Sequence, residues 1–238
     1  IIAVIIRTFL FDPFNIPSSS MKPTLLIGDF LFVSKYSYGY TKYSIPFSPN
    51  VFEGRIGGVS LERGDVAVFR PPFRPFEDWI KRVVGLPGDV IQMREGILHI
   101  NHKPCPLEKI EDFVDHLELE GYSRDENRVY SKEGVKIPQY IETLPNGIKH
   151  RILKKHAFGE WRLDNTEPFV VPDNHYFMMG DNRDGSEDSR VMTTVGFIPF
   201  ENFVGKAQII FFSTTARWYA LWDWLLGIRF ERLLNFIK

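Results

Sequence analysis

The sequence predicts an all-β protein organised around an antiparallel sheet, and three observations carry that expectation. Aromatic residues make up 15% of the 238, 21 of them Phe, and such side chains suit a pleated, half-buried surface. The chain also holds 16 Pro and 18 Gly, enough to punctuate it with turns. Between the two ends, short alternating or apolar runs recur between Gly, Pro and Asp, and no long stretch sustains the three-and-four spacing of an amphipathic helix.

Taken in order, the chain opens Ile1-Ile-Ala-Val-Ile-Ile6 with no initiating Met, so the reading starts partway through a longer protein. Residues 1–12 are expected to be the end of an amino-terminal transmembrane anchor, with Asp12-Pro13 marking the exit into water. A buried first strand is the competing reading, because β-branched residues suit both settings. Residues 13–102 form the first part of a core, with strands expected at 30–35, 65–70, 79–85, 90–93 and 97–100. Over 103–169 charge rises and apolar runs shorten, which marks an inserted, smaller, non-catalytic lobe. The core resumes over 170–213, with strands at 176–179 and 206–212. Residues 214–238 pack Trp218, Trp222 and Trp224 among charges, as an interfacial amphipathic helix does. A helix docked on the domain fits that composition equally well.

Gly-Asp recurs at Gly28-Asp29, Gly64-Asp65, Gly88-Asp89 and Gly180-Asp181, each time beside a strand-like run. A turn needing positive φ or an Asx bond explains the pair.

Bulk charge excludes some functions. With 29 basic and 30 acidic residues the formal charge is -1, so composition gives no reason to expect a polyanionic partner such as nucleic acid. A single cysteine, Cys105, rules out an intramolecular disulfide.

Three segments carry chemistry. Ile16-Pro-Ser-Ser-Ser-Met-Lys-Pro-Thr24 places three hydroxyls between two prolines that restrict the backbone. No Gly-x-Ser-x-Gly elbow is present, and none of the histidines sits in a recognisable triad setting. In Asp78-Trp-Ile-Lys-Arg-Val-Val-Gly-Leu-Pro-Gly-Asp89, Lys81 interrupts a strand-like apolar run. Alternation puts Trp79, Lys81 and Val83 on one side and Ile80, Arg82 and Val84 on the other, so one of the two charges is expected inside. A lysine acts as a base only when neutral, and desolvation lowers its pKa from about 10.4 toward about 8, at a cost of roughly 3 kcal/mol. A surface lysine on a half-exposed edge strand is the plainer alternative. Gly180-Asp-Asn-Arg-Asp-Gly-Ser-Glu-Asp-Ser-Arg190 alternates acids with turn formers, but Arg183 falls where a calcium loop needs an oxygen ligand. The His99, His102 and Cys105 spacing reads as a hairpin turn rather than a zinc site.

These segments, together with Arg63-Gly-Asp-Val-Ala-Val-Phe69, resemble in residue type and order the bacterial type I signal peptidases. The resemblance spans 14–35, 63–100 and 171–212, roughly half the chain. It implies a Ser-Lys serine peptidase on an antiparallel β-sheet core, with Ser20 as nucleophile and Lys81 as general base. Ser18 would donate to the oxyanion and Ser186 would orient the Lys81 amine. Arg82 with Asp181, and Asp188 with Arg190, would be structural supports. Phe14, Ile16, Pro17, Met21, Leu25, Trp79 and Ile80 would line pockets for small residues one and three before the cut. The implied partners are preprotein signal peptides and the lipid bilayer, not nucleic acid, with no cofactor and no metal. The implied location is the bacterial cytoplasmic membrane, catalytic domain on the outer face. Two departures stand out: Ser19 replaces a common Gly, and Val191–Val195 lengthen the loop before Gly196. A Ser-Lys self-cleaving regulator and an inactive membrane-tethered scaffold are the alternatives.

Overall fold

A computed structural model describes residues 7, 9–45, 48, 52–116, 134–215 and 227–237. The first strands are β1 (Phe11–Asn15), β2 (Asp29–Ser34), β3 (Val66–Phe69) and β4 (Trp79–Gly85). β5 (Val90–Arg94), β6 (Ile97–Ile100) and β7 (Lys103–Pro104) follow as a meander. β8 (Leu107–Lys109), β9 (Phe113–Asp115), β10 (Val135–Ile137), β11 (Gln139–Thr143) and β12 (Lys149–Leu153) lie in the inserted stretch. β13 (Phe169–Val170), β14 (His175–Met179), β15 (Ile198–Pro199), β16 (Phe203–Ser213) and β17 (Asn235–Phe236) complete the order. Strands expected from alternation at 79–85 and 97–100 match β4 and β6, and the all-β antiparallel expectation holds across the described residues.

The main sheet runs β1-β2-β16-β3-β4-β14-β15, with β17 added to β16, and all its pairings are antiparallel. In β3 the period of two is visible in the packing. Val66 and Val68 join one apolar cluster, with Leu31, Val33, Ile80, Ala207 and Ile210. Ala67 and Phe69 join another, with Val83, Tyr176, Met178, Ile198 and Phe203. The loop between β1 and β2 sends Ile16, Met21 and Leu25 into the first cluster, so its three serines are carried back onto the sheet. A third cluster ties Val84, Phe177 and Met179 of the main sheet to Ile91, Leu98 and Ile100 of the meander and to Leu144 of the insertion.

The Gly-Asp pairs act as expected at three places. Gly28, Gly64 and Gly88 have φ of 85, 99 and 85, conformations that cost other residues steric strain. Asp29, Asp65 and Asp89 each accept the backbone N–H three residues earlier, from Leu26, Glu62 and Leu86. Gly180 lacks positive φ and is needed for a different reason, given below. Asn101 and His102, both at positive φ, make the tight turn from β6 into β7, as the hairpin reading of that segment requires.

Within the insertion, β12-β11-β8 form a three-stranded sheet and β10-β9 a ribbon. Residues 117–133 lie outside the described residues, as do 1–6, which hold most of the expected amino-terminal anchor; its expected end at residue 12 is corrected, because Phe11 and Asp12 already pair with Ser34 and Val33 as the start of β1. The Trp-rich 216–226 also lie outside it. The described remainder of that carboxyl-terminal stretch is not the expected helix: Phe230–Arg232 form a single 3-10 turn and β17 a short strand on β16. Pairing with the sheet edge satisfies its backbone where an isolated helix of that length would be marginal. Both Arg229 and Arg232 reach the fully buried Asp29, which also accepts the Ser213 hydroxyl. No helix among the described residues is long and apolar enough to cross a membrane.

Candidate active site

β4 delivers two buried cations side by side. Alternation sends Lys81 to Ser20 and Arg82 to Asp181, but both are inside, 4% and 0% exposed. The expectation that only one charge would be inside is therefore corrected: both faces of β4 are covered, so leaving by the opposite side does not mean reaching solvent.

The Lys81 ammonium donates to Ser20 Oγ at 2.7 Å and to the Ile80 carbonyl at 3.0 Å, and lies 5.3 Å from the Trp79 ring centroid. Burial pushes its pKa down to about 8, against the pull of Asp188, Asp181 and Glu187. Ser18 Oγ is 3.2 Å from Ser20 Oγ. The Ser20 carbonyl accepts the Asn182 N–H at 3.1 Å, and the Ser19 carbonyl accepts the Asn182 side-chain amide at 3.1 Å. Asn182, which sequence reasoning passed over, thus clips the serine loop to the acidic loop that follows β14.

β14 pairs with β4 so that Met179 faces Arg82, which starts the acidic loop beside the two cations. Gly180 follows at the closest approach. A Cβ there would lie 2.2 Å from Ser186 Oγ and 2.6 Å from the Ser20 carbonyl oxygen, so no side chain fits. Arg82 grips Asp181 with two bonds of 2.8 and 2.7 Å. Burial pushes the Asp181 carboxyl up, but Arg82 outweighs it, aided by His150 and Thr24, and the result is a lowered pKa. Asp188 behaves alike, lowered on balance by Arg190, which it holds at 2.8 Å through both carboxylate oxygens. Thr24 Oγ1 donates to Asp181, a link across the two motifs that no local pattern announces.

Ser186 differs from its expected place. Its hydroxyl is turned to the Glu187 carbonyl at 3.5 Å, and the Lys81 amine bonds Ser20 and Ile80 instead.

A cleft of about 530 Å³ opens at Ser20 and Lys81, lined also by Phe14, Pro17, Ser18, Glu77, Asp78, Trp79, Ile80 and Glu187. Phe14, Pro17, Trp79 and Ile80 thus line it as expected, while Ile16, Met21 and Leu25 do not. They are at most 1% exposed and pack behind Ile80 in the core, because the loop folds inward there. Of the two departures from the family pattern, Ser19 keeps out of the left-handed region, so it needs no glycine. The longer loop after Arg190 closes as a turn on the Val191 carbonyl, with Val195 buried in the second cluster.

The insertion reaches the site as well. Lys22, two residues after Ser20, pairs with Asp115 of β9, both buried. Arg183 in the acidic loop holds Glu142 of β11 through two bonds of 2.7 and 2.5 Å. Lys154 joins Asp164 to Asp184. His150 lies 3.3 Å from Glu142 and 3.9 Å from Asp181, where burial and Arg82 push its pKa down. Burial drives Cys105 up to about 12, so its thiol stays protonated. Among the described residues no group of three or more His, Cys, Asp or Glu is placed to hold a metal ion.

Comparison with known proteins agrees with this picture. A family profile described as "Signal peptidase, peptidase S26" matches residues 1–212. Signal peptidase I of Rickettsia conorii is 42% identical over 233 residues, 95% of this chain and 80% of the relative. That of Rickettsia canadensis is 43% identical over the same span. A solved signal peptidase I from Enterococcus faecalis V583 matches at 23% identity and a TM-score of 0.33, over 62% of this chain and 97% of its own. On the profile and the relatives, the chain belongs to the signal peptidase family, peptidase S26, whose members are serine endopeptidases.

Proposed function

We propose that the chain removes signal peptides from exported preproteins through a Ser20–Lys81 dyad, cutting after small residues at the first and third positions before the bond. The observation that carries this reading is the buried Lys81 amine, 2.7 Å from Ser20 Oγ and, among the described residues, bonded to no carboxylate. A lysine so placed gives up its proton near neutral pH, which a base must do before it can act.

Neutral Lys81 accepts the Ser20 hydroxyl proton as Oγ attacks the scissile carbonyl. The developing oxyanion takes hydrogen bonds from the Ser18 hydroxyl and from backbone N–H, preorganised donors in a dry site. Collapse passes the proton from Lys81 to the leaving amine and leaves an acyl group on Ser20. Water, deprotonated by Lys81, then releases the acid and restores the serine. Ser186 orients the amine once its hydroxyl turns from Glu187. The Arg82–Asp181 and Asp188–Arg190 pairs hold the loop that carries it.

Substrate binds extended. Among the described residues β1 is an edge of the main sheet, which supports binding of substrate as an added strand, with Phe14, Pro17, Trp79 and Ile80 proposed to line the pockets for its small side chains. We place the residues before β1 at the end of a membrane anchor and the catalytic core, β1 to residue 102 with 170–213, on the outer face of the cytoplasmic membrane. There a cleavage site emerges beside the bilayer. Residues 103–169 form the inserted lobe.

Purified protein incubated with a preprotein tests the reading. Cleavage, and labelling of Ser20 by a reagent that traps activated serines, are the expected results, both lost in Ser20→Ala. Unchanged cleavage in Lys81→Met would refute the dyad.

A further inference from the structure

Three carboxylates line the cleft, and they are not equivalent. Asp78 accepts Arg70 at 2.7 Å, and Glu77 accepts the Trp79 ring N–H at 3.0 Å with Arg74 at 3.5 Å. Glu187 has no ion-pair partner of its own among the described residues, and its side chain is exposed. Its place is nonetheless fixed, because Ser186 and Asp188 on either side are buried, and Asp188 is gripped by Arg190. The one cation lining the cleft is Lys81, which carries no charge while it serves as base. In its working form the cleft therefore holds one uncompensated negative charge on the wall beside the reacting serine.

We propose that Glu187 selects substrates by charge, favouring preproteins with a basic residue next to the cut and disfavouring those with an acidic one there. The inference rests on the peptidase reading above. It concerns the positions flanking the bond that the small-residue pockets leave free: the second before the cut and the first two after it. An exposed pair of charges about 6 Å apart is worth between about 3-fold and about 30-fold in binding, attractive for Lys and repulsive for Asp. The lysine-to-aspartate preference at the position nearest Glu187 is accordingly expected to exceed about tenfold.

The test uses synthetic preprotein peptides carrying Lys, Gln or Asp singly at each of the three positions, with kcat/KM measured for each. The readout is the ratio of the Lys to the Asp peptide. Any effect of Glu187 on Lys81 alters both peptides alike and cancels. The wild-type ratio is expected to be large at one or more positions, to fall toward one in Glu187→Gln, to invert in Glu187→Lys, and to shrink in high salt. A ratio equal in wild type and Glu187→Gln overturns the proposal while leaving the peptidase reading intact. Failure of the wild type to cleave any of the peptides removes both.

Discussion

Four lysines are buried among the described residues, and they divide by neighbourhood. Lys22 and Lys154 sit where the inserted lobe meets the catalytic loops, and Lys35 lies under the amino-terminal strands. Each of these has a carboxylate within 3.0 Å: Asp115, Asp164 with Asp184, and Asp12. Lys81, at the cleft, donates to a hydroxyl and a carbonyl and lies over the Trp79 ring; of the carboxylates near it, Asp181 and Asp188 are held by Arg82 and Arg190, and Glu187 is not bonded to it. At the lobe junction charge is buried and neutralised, so it fixes position. At the cleft the cation is buried with no carboxylate bonded to it among the described residues, and burial lowers its pKa to about 8. On the proposed function, the same residue type serves as rivet or as base according to whether a carboxylate bonds it.

Removing the base should break the contrast most sharply. Lys81→Met is expected to lower cleavage at least about a thousandfold. It should also stabilise the chain. A folded-state pKa of about 8, against 10.5 unfolded, means that the folded protein binds fewer protons than the unfolded one between those values. The resulting penalty, roughly 3 kcal/mol, is full below pH about 8 and fades as pH rises toward 10.5. Thermal melts should therefore show Lys81→Met several degrees more stable at pH 7, with the advantage gone near pH 10.5. An equal or lower melting temperature at pH 7 would mean that the amine is not dry.

At the lobe junction the sign reverses. Asp115→Asn or Glu142→Gln strands a buried cation, and about 3–5 kcal/mol of stability should be lost in denaturant titrations. The doubles Lys22→Met with Asp115→Leu, or Arg183→Met with Glu142→Leu, should recover most of that loss. If the singles cost nothing, the junction is not the rivet described.

The pH profile is a smaller effect within the cleft. With a base of pKa about 8, kcat/KM should climb about tenfold per pH unit from 6 and level off above 8. A flat profile from 6 to 10 would contradict a titrating amine. Smallest of all is the exposed Arg7–Asp12 pair, where Arg7→Ala should cost less than about 1 kcal/mol and respond to salt.

The strands were legible because alternation and turn residues are local signals; β4 and β6 fell where the pattern put them. The dyad candidates were legible through short motifs, and their partners within a motif, such as Asp188 with Arg190, came with them. What could not be read was the junction. Lys22 and Asp115 are 93 positions apart, Thr24 and Asp181 157 apart, and neither pairing leaves a trace in periodicity. In β12, Lys-His-Arg-Ile-Leu looks polar at its start, yet His150 is buried between two exposed cations. Ile16, Met21 and Leu25 were misread for a related reason: an apolar residue beside a nucleophile can face the substrate or the core, and sequence does not distinguish them.

Asp29 has a practical corollary for anyone shortening the chain. A version ending at Ser213 would strip Arg229 and Arg232 from a carboxylate with no exposure to solvent, leaving it only a serine hydroxyl and a backbone N–H. Arg232 also donates to the Thr24 carbonyl, four positions past Ser20. Trimming the tail for expression or crystallisation would thus loosen the very loop whose chemistry such a preparation is meant to display.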